Sequence, residues 1–137
     1  MRVSLLCLFL VSTVASHGAD QICVRHLPVP GYPRLARMAR LQGSVSVELE
    51  IGADGKVLSA KGSGAHRLLA RASEENIRQW SFGAVPGGAA SVPARRHRVI
   101  YVYKLEGKEE CYDSPPIVVL DLPDRIQVTG HPPEPQP

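Results

Sequence analysis

The sequence is poor in aromatic residues and cysteine, and it has no apolar run long enough to cross a membrane. Only seven of its 137 residues are Phe, Trp or Tyr, so a core has to consist mainly of aliphatic side chains. The apolar run at residues 3–15 would rise only about 20 Å as a helix, short of the ~30 Å hydrocarbon core of a bilayer. These absences exclude a polytopic membrane protein, and the length excludes a multi-domain enzyme.

Residue patterns that carry catalysis or metal binding are also absent from the sequence. No GxSxG elbow or phosphate-binding loop occurs, and Glu74 and Glu75 are adjacent on a predicted helix, so they point apart. Four histidines of the expected mature chain are scattered, without the close spacing of metal ligands: His26, His66, His97 and His131. We therefore predict no enzyme activity, no catalytic residue, no cofactor and no metal site.

The positive charge is too low and too dispersed for a nucleic-acid binder. The formal net charge is +3, and the only dense basic cluster covers residues 95–98. In a strand, alternation would divide this cluster between two faces. We therefore expect no nucleic acid among the partners.

The N-terminus has the organisation of a secretory signal peptide. Arg2 precedes the apolar run, and small residues lie at its end: Thr13, Ala15, Ser16 and Gly18. We predict a signal over residues 1–19 with cleavage near residues 15–19, and hence export. The alternative is an uncleaved segment that anchors the chain in the inner membrane, and only then would the protein contact a membrane.

Export to an oxidising compartment would allow the cysteines of the mature chain to form a disulfide. Cys7 would leave with the signal, so the mature chain would keep Cys23 and Cys111. In an oxidising compartment such a pair predicts a disulfide. This bridge would close a loop of almost ninety residues and contribute about 4–5 kcal/mol in the chain-entropy model. A metal or redox role is the alternative, but there is no CxxC pattern to support it.

An extended arm and a first helix are predicted after the signal. Pro28 and Pro30 disfavour helix within residues 20–31, so this segment is predicted to be extended. A helix is predicted from Tyr32-Pro33 to near Gly43, because proline suits the first helical position. Three- and four-residue spacing predicts that its faces differ: Leu35, Met38 and Ala39 inward, Arg34, Arg37 and Arg40 outward.

The next segments predict a hairpin, a second helix and a long strand. Residues 44–51 alternate apolar and polar side chains, as a half-buried strand does, and a turn at 52–55 leads to a returning strand over 56–61. The second helix is predicted over residues 66–80, with an inward face of Leu68, Leu69, Ala72, Ile77 and Trp80. The long strand is predicted over residues 94–105.

This order of elements resembles the TonB C-terminal domain family. The resemblance runs from about Tyr32 to Leu105 and depends on eleven positions taken together: Tyr32, Pro33, Gly43, Val45, Val47, Asp54, Gly55, Leu69, Ile77, Trp80 and Phe82. They are residues of packing and turns, so they identify a domain at residues 32–105 and perform no reaction. Pairing two one-sided helices with a hairpin and a further strand predicts an α+β two-layer sandwich, with both helices on one face of an antiparallel sheet of three to four strands.

The resemblance implies a periplasmic binding function in transport across the outer membrane. TonB-like domains dock on TonB-dependent outer-membrane receptors, where a receptor peptide adds as a strand to the sheet edge. The long strand is the predicted docking edge, with five candidate residues: Arg96, Arg98, Ile100, Val102 and Lys104. Its basic side chains would discourage self-association and pair with acidic groups of the receptor or of another envelope protein; the alternative is a solvated face.

The segments that flank the domain favour functions other than docking on an outer-membrane receptor. Only residues 16–31 precede it, and they reach roughly 55 Å when extended, too little to cross a periplasm. The extension at 106–137 contains a predicted strand at 117–122 and a proline-rich tail, and this strand would pair with 95–105 and occupy the docking edge. The alternatives are a stand-alone periplasmic adaptor or structural domain, and a peptidoglycan-binding module that uses Arg34, Arg37, Arg40 and Arg96.

Overall fold

The structure is a computed structural model that describes residues 22–83, 95–109 and 115–135. Its elements are, in chain order, β1 (Cys23–His26), α1 (Arg34–Met38), β2 (Gly43–Ile51), β3 (Val57–Gly64), α2 (Arg67–Ile77), β4 (Ser81–Gly83), β5 (Arg95–Leu105), β6 (Ile117–Asp121) and β7 (Arg125–Gly130). The predicted signal lies outside the described residues. Within the described ranges, no helix has the length and hydrophobicity that a bilayer crossing requires.

Five strands form one mixed sheet in the order β3-β2-β5-β7-β6. β2 is antiparallel to both β3 and β5, and its alternating pattern places one face in the core. β7 runs parallel to β5, and β6 lies antiparallel to β7 on its outer side. The α+β prediction is confirmed. The sheet has five strands rather than three to four, and one parallel pair, because the 106–137 extension adds a hairpin to it.

The predicted extended arm is tied to the domain. β1 pairs antiparallel with β4 in a separate two-stranded sheet, with Cys23 opposite Gly83 and Val24 opposite Phe82. Further along the arm, the side-chain amide of Asn76 donates a hydrogen bond to the carbonyl of Pro28 at 2.8 Å. The arm is therefore fixed at two places, once by backbone pairing and once by a side chain of α2.

The first helix is shorter than predicted and turned differently. α1 has five residues, and Ala36 and Arg37 are its buried side chains. Leu35 and Met38, predicted to face inward, are 63% and 47% exposed, so the predicted inward face is wrong. Such a short helix cannot bury a full apolar stripe, and Arg37 is held inward because its Nε donates to the carbonyl of His131 at 3.2 Å.

The second helix covers the sheet and closes the core. Leu69 and Ile77 are buried as predicted, and so is Trp80, although the helix ends at Ile77, before it. Leu68 is 39% exposed, which differs from the predicted inward position. The core also contains alternate residues of three strands: Val45, Val47, Leu49 and Ile51 of β2, Val99, Tyr101 and Tyr103 of β5, and Ile126 and Val128 of β7.

The predicted turn between β2 and β3 requires a glycine. Gly55 has a φ of +81°, in the left-handed region that L side chains rarely adopt. Its carbonyl accepts a hydrogen bond from the Phe82 amide at 2.8 Å, and a Cβ at residue 55 would collide with the Phe82 carbonyl. The turn glycine thus also permits close contact with β4.

Candidate functional site

The strand predicted as the docking edge is covered on its second side only from Ile100 onward, whereas Arg95–Val99 pairs with β2 alone in the described part of the chain. Along Ile100–Tyr103, β5 pairs with β2 on one side and with β7 on the other, and Lys104 and Leu105 pair with β7 alone. Three of the candidate docking residues therefore have a neighbour on β7: Ile100 faces Arg125, Val102 faces Gln127 and Lys104 faces Thr129. This corrects the predicted open edge for the second half of β5, while Arg96 and Arg98 lie on the half that β7 does not cover. The extension pairs with β5 through residues 125–130, and residues 117–121 pair with β7.

The two arginines of the predicted site form ion pairs within the sheet. Arg98 contacts Glu48 at 2.7 Å, and Arg96 contacts Glu50 at 3.1 Å, in each case across the β2–β5 ladder. Exposed pairs of this kind stabilise a protein only weakly, but they neutralise both cations. The alternation of Glu on β2 against Arg on β5 was the sequence signal for these pairs, and sequence reasoning missed it.

At one end of the sheet, α2 covers the outer side of β3. The amide of Gly62 donates to the Glu74 carboxylate at 2.6 Å, and the Arg78 guanidinium donates to the carbonyl of Ala60 at 3.2 Å. These two backbone groups would otherwise be free to bond an added strand. Side chains of α2 therefore occupy part of this edge and protect it from pairing.

At the other end of the sheet, β6 has an open side. In the described part of the chain β6 pairs with β7 alone, and three of its side chains are apolar and about half exposed: Ile117 at 59%, Val119 at 54% and Leu120 at 46%. Unpaired backbone groups beside apolar side chains make a template for another strand. The sequence signal was the 117–122 run, which we predicted to close an edge and which instead provides one.

The β6–β7 hairpin is anchored to the rest of the domain at its turn. The amide of Ile100 donates to the carbonyl of Asp124 at 2.8 Å, where β5 meets the turn. The imidazole Nε2 of His97 lies 3.2 Å from the Asp124 carboxylate and 3.3 Å from the Pro123 carbonyl. The turn is thereby held against the first half of β5.

The far end of the hairpin is anchored as well. The Glu106 amide donates to the carbonyl of Gly130 at 2.9 Å. Beyond β7, Arg40 donates to the Pro133 carbonyl at 3.3 Å and contacts Glu109 at 3.5 Å. Together with the hydrogen bond from Arg37 to the His131 carbonyl, these contacts attach the extension firmly to the rest of the domain.

The comparisons with known proteins agree with this fold. The family model described as Gram-negative bacterial TonB protein C-terminal matches residues 28–105, more than half of the sequence. The chain belongs to this family. A solved structure, the solution NMR structure of the Pseudomonas aeruginosa TonB CTD, matches with 26% identity and a TM-score of 0.54 over 69% of this chain and 95% of that one. No curated protein matches the sequence.

The open edge lies beyond the part of the chain that the TonB C-terminal model matches. That match ends at residue 105, whereas β6 and β7 begin at Ile117 and Arg125. Within the match, β5 is the last strand, and the following hairpin covers one side of it. The extension therefore covers the second half of β5 in this member of the TonB C-terminal family and adds an open edge at β6.

The family signature residues surround a buried polar network. Asn76 Oδ1 accepts hydrogen bonds from Trp80 Nε1 at 3.0 Å and from the Tyr101 hydroxyl at 2.8 Å. Nearby, the hydroxyls of Ser73 and Tyr103 lie 2.9 Å apart. Burial raises the pKa of Tyr101 and the pKa of Tyr103 above the usual value of a phenol, so both hydroxyls stay protonated in alkaline solution where a free phenol would ionise. The network orients core side chains of the TonB C-terminal fold.

The residues proposed for other chemistry are dispersed in this TonB C-terminal structure. Among the described residues, no three metal-binding side chains form a group. Of the arginines considered for peptidoglycan, Arg37 is buried, and Arg40 and Arg96 form ion pairs within the chain. Cys111, the predicted partner of Cys23, lies outside the described residues, so the disulfide stays a prediction.

Proposed function

We propose that this chain is a periplasmic protein-binding module that takes part in transport across the outer membrane. It would hold an extended segment of a TonB-dependent outer-membrane receptor, or of another envelope protein, by strand addition. The observation that carries the proposal is the open, apolar edge of β6 on a domain of the TonB C-terminal family. The docking strand is β6 because β7 already occupies one side of β5 along Ile100–Leu105.

The side chains of β6 indicate the kind of segment that fits. Ile117 and Val119 lie on one face of the sheet, and Val118 and Leu120 lie on the other, opposite the core residues Val128 and Ile126. A segment with apolar residues on both faces would extend these two rows. The carboxylate of Asp121 favours a basic residue at the corresponding end of the segment.

Binding of receptor N-terminal peptides to the mature protein tests the proposal. In ¹⁵N-labelled protein, we expect chemical-shift changes centred on residues 117–121. We expect Val119→Lys to weaken binding at least about tenfold, because a lysine on the edge opposes pairing with an apolar segment. Leu58→Lys on β3 is the matched control, since Leu58 is also exposed, at 67%, and lies on the opposite edge strand. Shifts centred on β3, or equal losses in both variants, would contradict docking at β6.

A stand-alone periplasmic adaptor is the second candidate function. The observation that favours it is the β7 pairing, which covers the second half of the strand that a receptor segment was predicted to use. In that case no receptor peptide binds at any concentration tested, while a different envelope protein is recovered with the exported protein. The peptidoglycan alternative has no such support, because Arg37 is buried and Arg40 and Arg96 form ion pairs within the chain.

The mass of the protein recovered from the cell envelope tests export. We expect it to lack the first 15–19 residues, as the signal predicts, and to be two hydrogens lighter than a chain with free Cys23 and Cys111. Treatment with a reductant and alkylation of the new thiols provide the control for the disulfide. An intact N-terminus would contradict the cleaved signal and favour the membrane-anchored alternative.

A further inference from the structure

The outward face of α1, formed by Arg34, Leu35 and Met38, presents two large apolar side chains to solvent. Leu35 is 63% exposed and Met38 is 47% exposed, and residues three apart in a helix lie on the same face. On the opposite side of the helix, Ala36 and Arg37 are buried and attach α1 to the domain. Neighbouring apolar side chains that a fixed helix directs to solvent indicate a contact surface.

The charged residues of the arm, α1 and the start of β2 all have one sign. Residues 22–47 contain no Asp or Glu, but they contain four arginines: Arg25, Arg34, Arg37 and Arg40. Arg34 is exposed, and it borders both apolar side chains because it lies one residue before Leu35 and four before Met38. Arg40 contacts Glu109 at 3.5 Å, yet its side chain is still 53% exposed. The outward face of α1 therefore combines apolar side chains with positive charge.

This combination fits the surface of an anionic lipid bilayer. Leucine and methionine side chains can enter the boundary between headgroups and acyl chains, while an arginine beside them places its guanidinium among the lipid phosphates. An acidic protein segment would also satisfy the charge. Since α1 has only five residues, it offers no long seam to a partner helix, whereas a shallow membrane contact needs only a few inserted side chains. The short helix therefore favours lipid.

We propose that the outward face of α1 binds the surface of a bilayer that contains anionic lipids. The sequence alone predicted membrane contact only for a chain with an uncleaved N-terminus, whereas this contact would hold the mature protein at a membrane without that segment. The inference goes beyond the proposed function and uses no residue of β6. A protein held at a membrane in this way would keep its docking edge.

Co-sedimentation of the mature protein with lipid vesicles tests this proposal. We expect vesicles that contain phosphatidylglycerol to bind at least about tenfold more tightly than vesicles of phosphatidylcholine alone, and we expect added salt to reduce the difference. Leu35→Glu should weaken binding at least about tenfold, because it removes an apolar side chain and adds a carboxylate that anionic lipids repel. Leu58→Glu on β3 is the matched control, since Leu58 is 67% exposed, and it should bind within about threefold of the original protein.

Arg34→Gln separates the charge from the apolar contact. We expect this variant to bind vesicles with phosphatidylglycerol about fivefold more weakly and to bind phosphatidylcholine vesicles unchanged. Equal binding of the original protein to both kinds of vesicle, or equal losses in Leu35→Glu and Leu58→Glu, would mean non-specific adhesion and overturn the proposal. So would a protein that binds neither vesicle, including one that binds an acidic peptide at α1 instead. Binding of receptor peptides at β6 is measured without lipid, so either proposal can fail while the other stands.

Discussion

Replacing Asn76 by leucine is expected to lower the free energy of unfolding by about 3–5 kcal/mol. The Asn76 amide bonds three groups that are distant in sequence: the Trp80 indole, the Tyr101 hydroxyl and the Pro28 carbonyl. Each buried group left without a partner costs about 1–3 kcal/mol, and the added leucine offsets part of the total. Tyr101 is fully buried and Trp80 is only 2% exposed, so water cannot replace the lost bonds.

Urea denaturation followed by tryptophan fluorescence measures this loss, because Trp80 is the only tryptophan. Gln79→Leu is the matched control: its amide also donates a hydrogen bond, to the Glu75 carbonyl at 3.1 Å, but on the exposed surface. We expect that control to change the unfolding free energy by less than about 0.5 kcal/mol. A loss below about 1 kcal/mol for Asn76→Leu would show that the network does not hold the core together.

Replacing Ile126 by alanine is expected to destabilise the protein by about 2–5 kcal/mol, the usual cost of replacing a buried isoleucine by alanine. Ile126 is fully buried and lies between Tyr101 of β5 and Leu120 of β6 in the sheet. Leu120→Ala is the matched control in the same cross-strand row, and since Leu120 is 46% exposed, we expect a loss of about 1 kcal/mol or less.

Hydrogen exchange gives this prediction a second measurement. If the hairpin unfolds with the whole domain, the amides of Ile100–Leu105 on β5 exchange only through global unfolding in the original protein. Fast exchange there, with a small stability loss for Ile126→Ala, would mean that the hairpin detaches independently. The β5 edge would then be available to a partner after all.

Local patterns were sufficient to predict much of the domain. Alternation along residues 44–51 predicted β2, and the Asp54-Gly55 pair predicted the turn, because both depend only on neighbouring residues. The face of α1 could not be predicted, since Arg37 is turned inward by a carbonyl ninety-four residues away in sequence. Local spacing contains no information about such a partner.

At the candidate site, too, the local pattern could be predicted but the distant partners could not. The apolar run at 117–122 was found, but its neighbour was not, because strand order is a property of the whole sheet. A usable signal was present in β7, where Ile126 and Val128 alternate with Gln127 and Thr129 as a half-buried strand does. Recognising that second strand would have predicted a hairpin and therefore a new edge. The polar residues Ser73 and Asn76 were likewise missed in the core, because their partners lie on β5 and the arm.

The attachment of the arm has a mechanical consequence. A tension applied to the chain ahead of β1 would first meet three paired positions between β1 and β4, a short ladder that can open one pair at a time. The next resistance is the bond between the Pro28 carbonyl and Asn76, which passes the load into α2 and, through Tyr101, into the middle of the five-stranded sheet. Asn76, whose side chain bonds Trp80 and Tyr101 in the core, is thus also the residue through which a pulling force would reach the core.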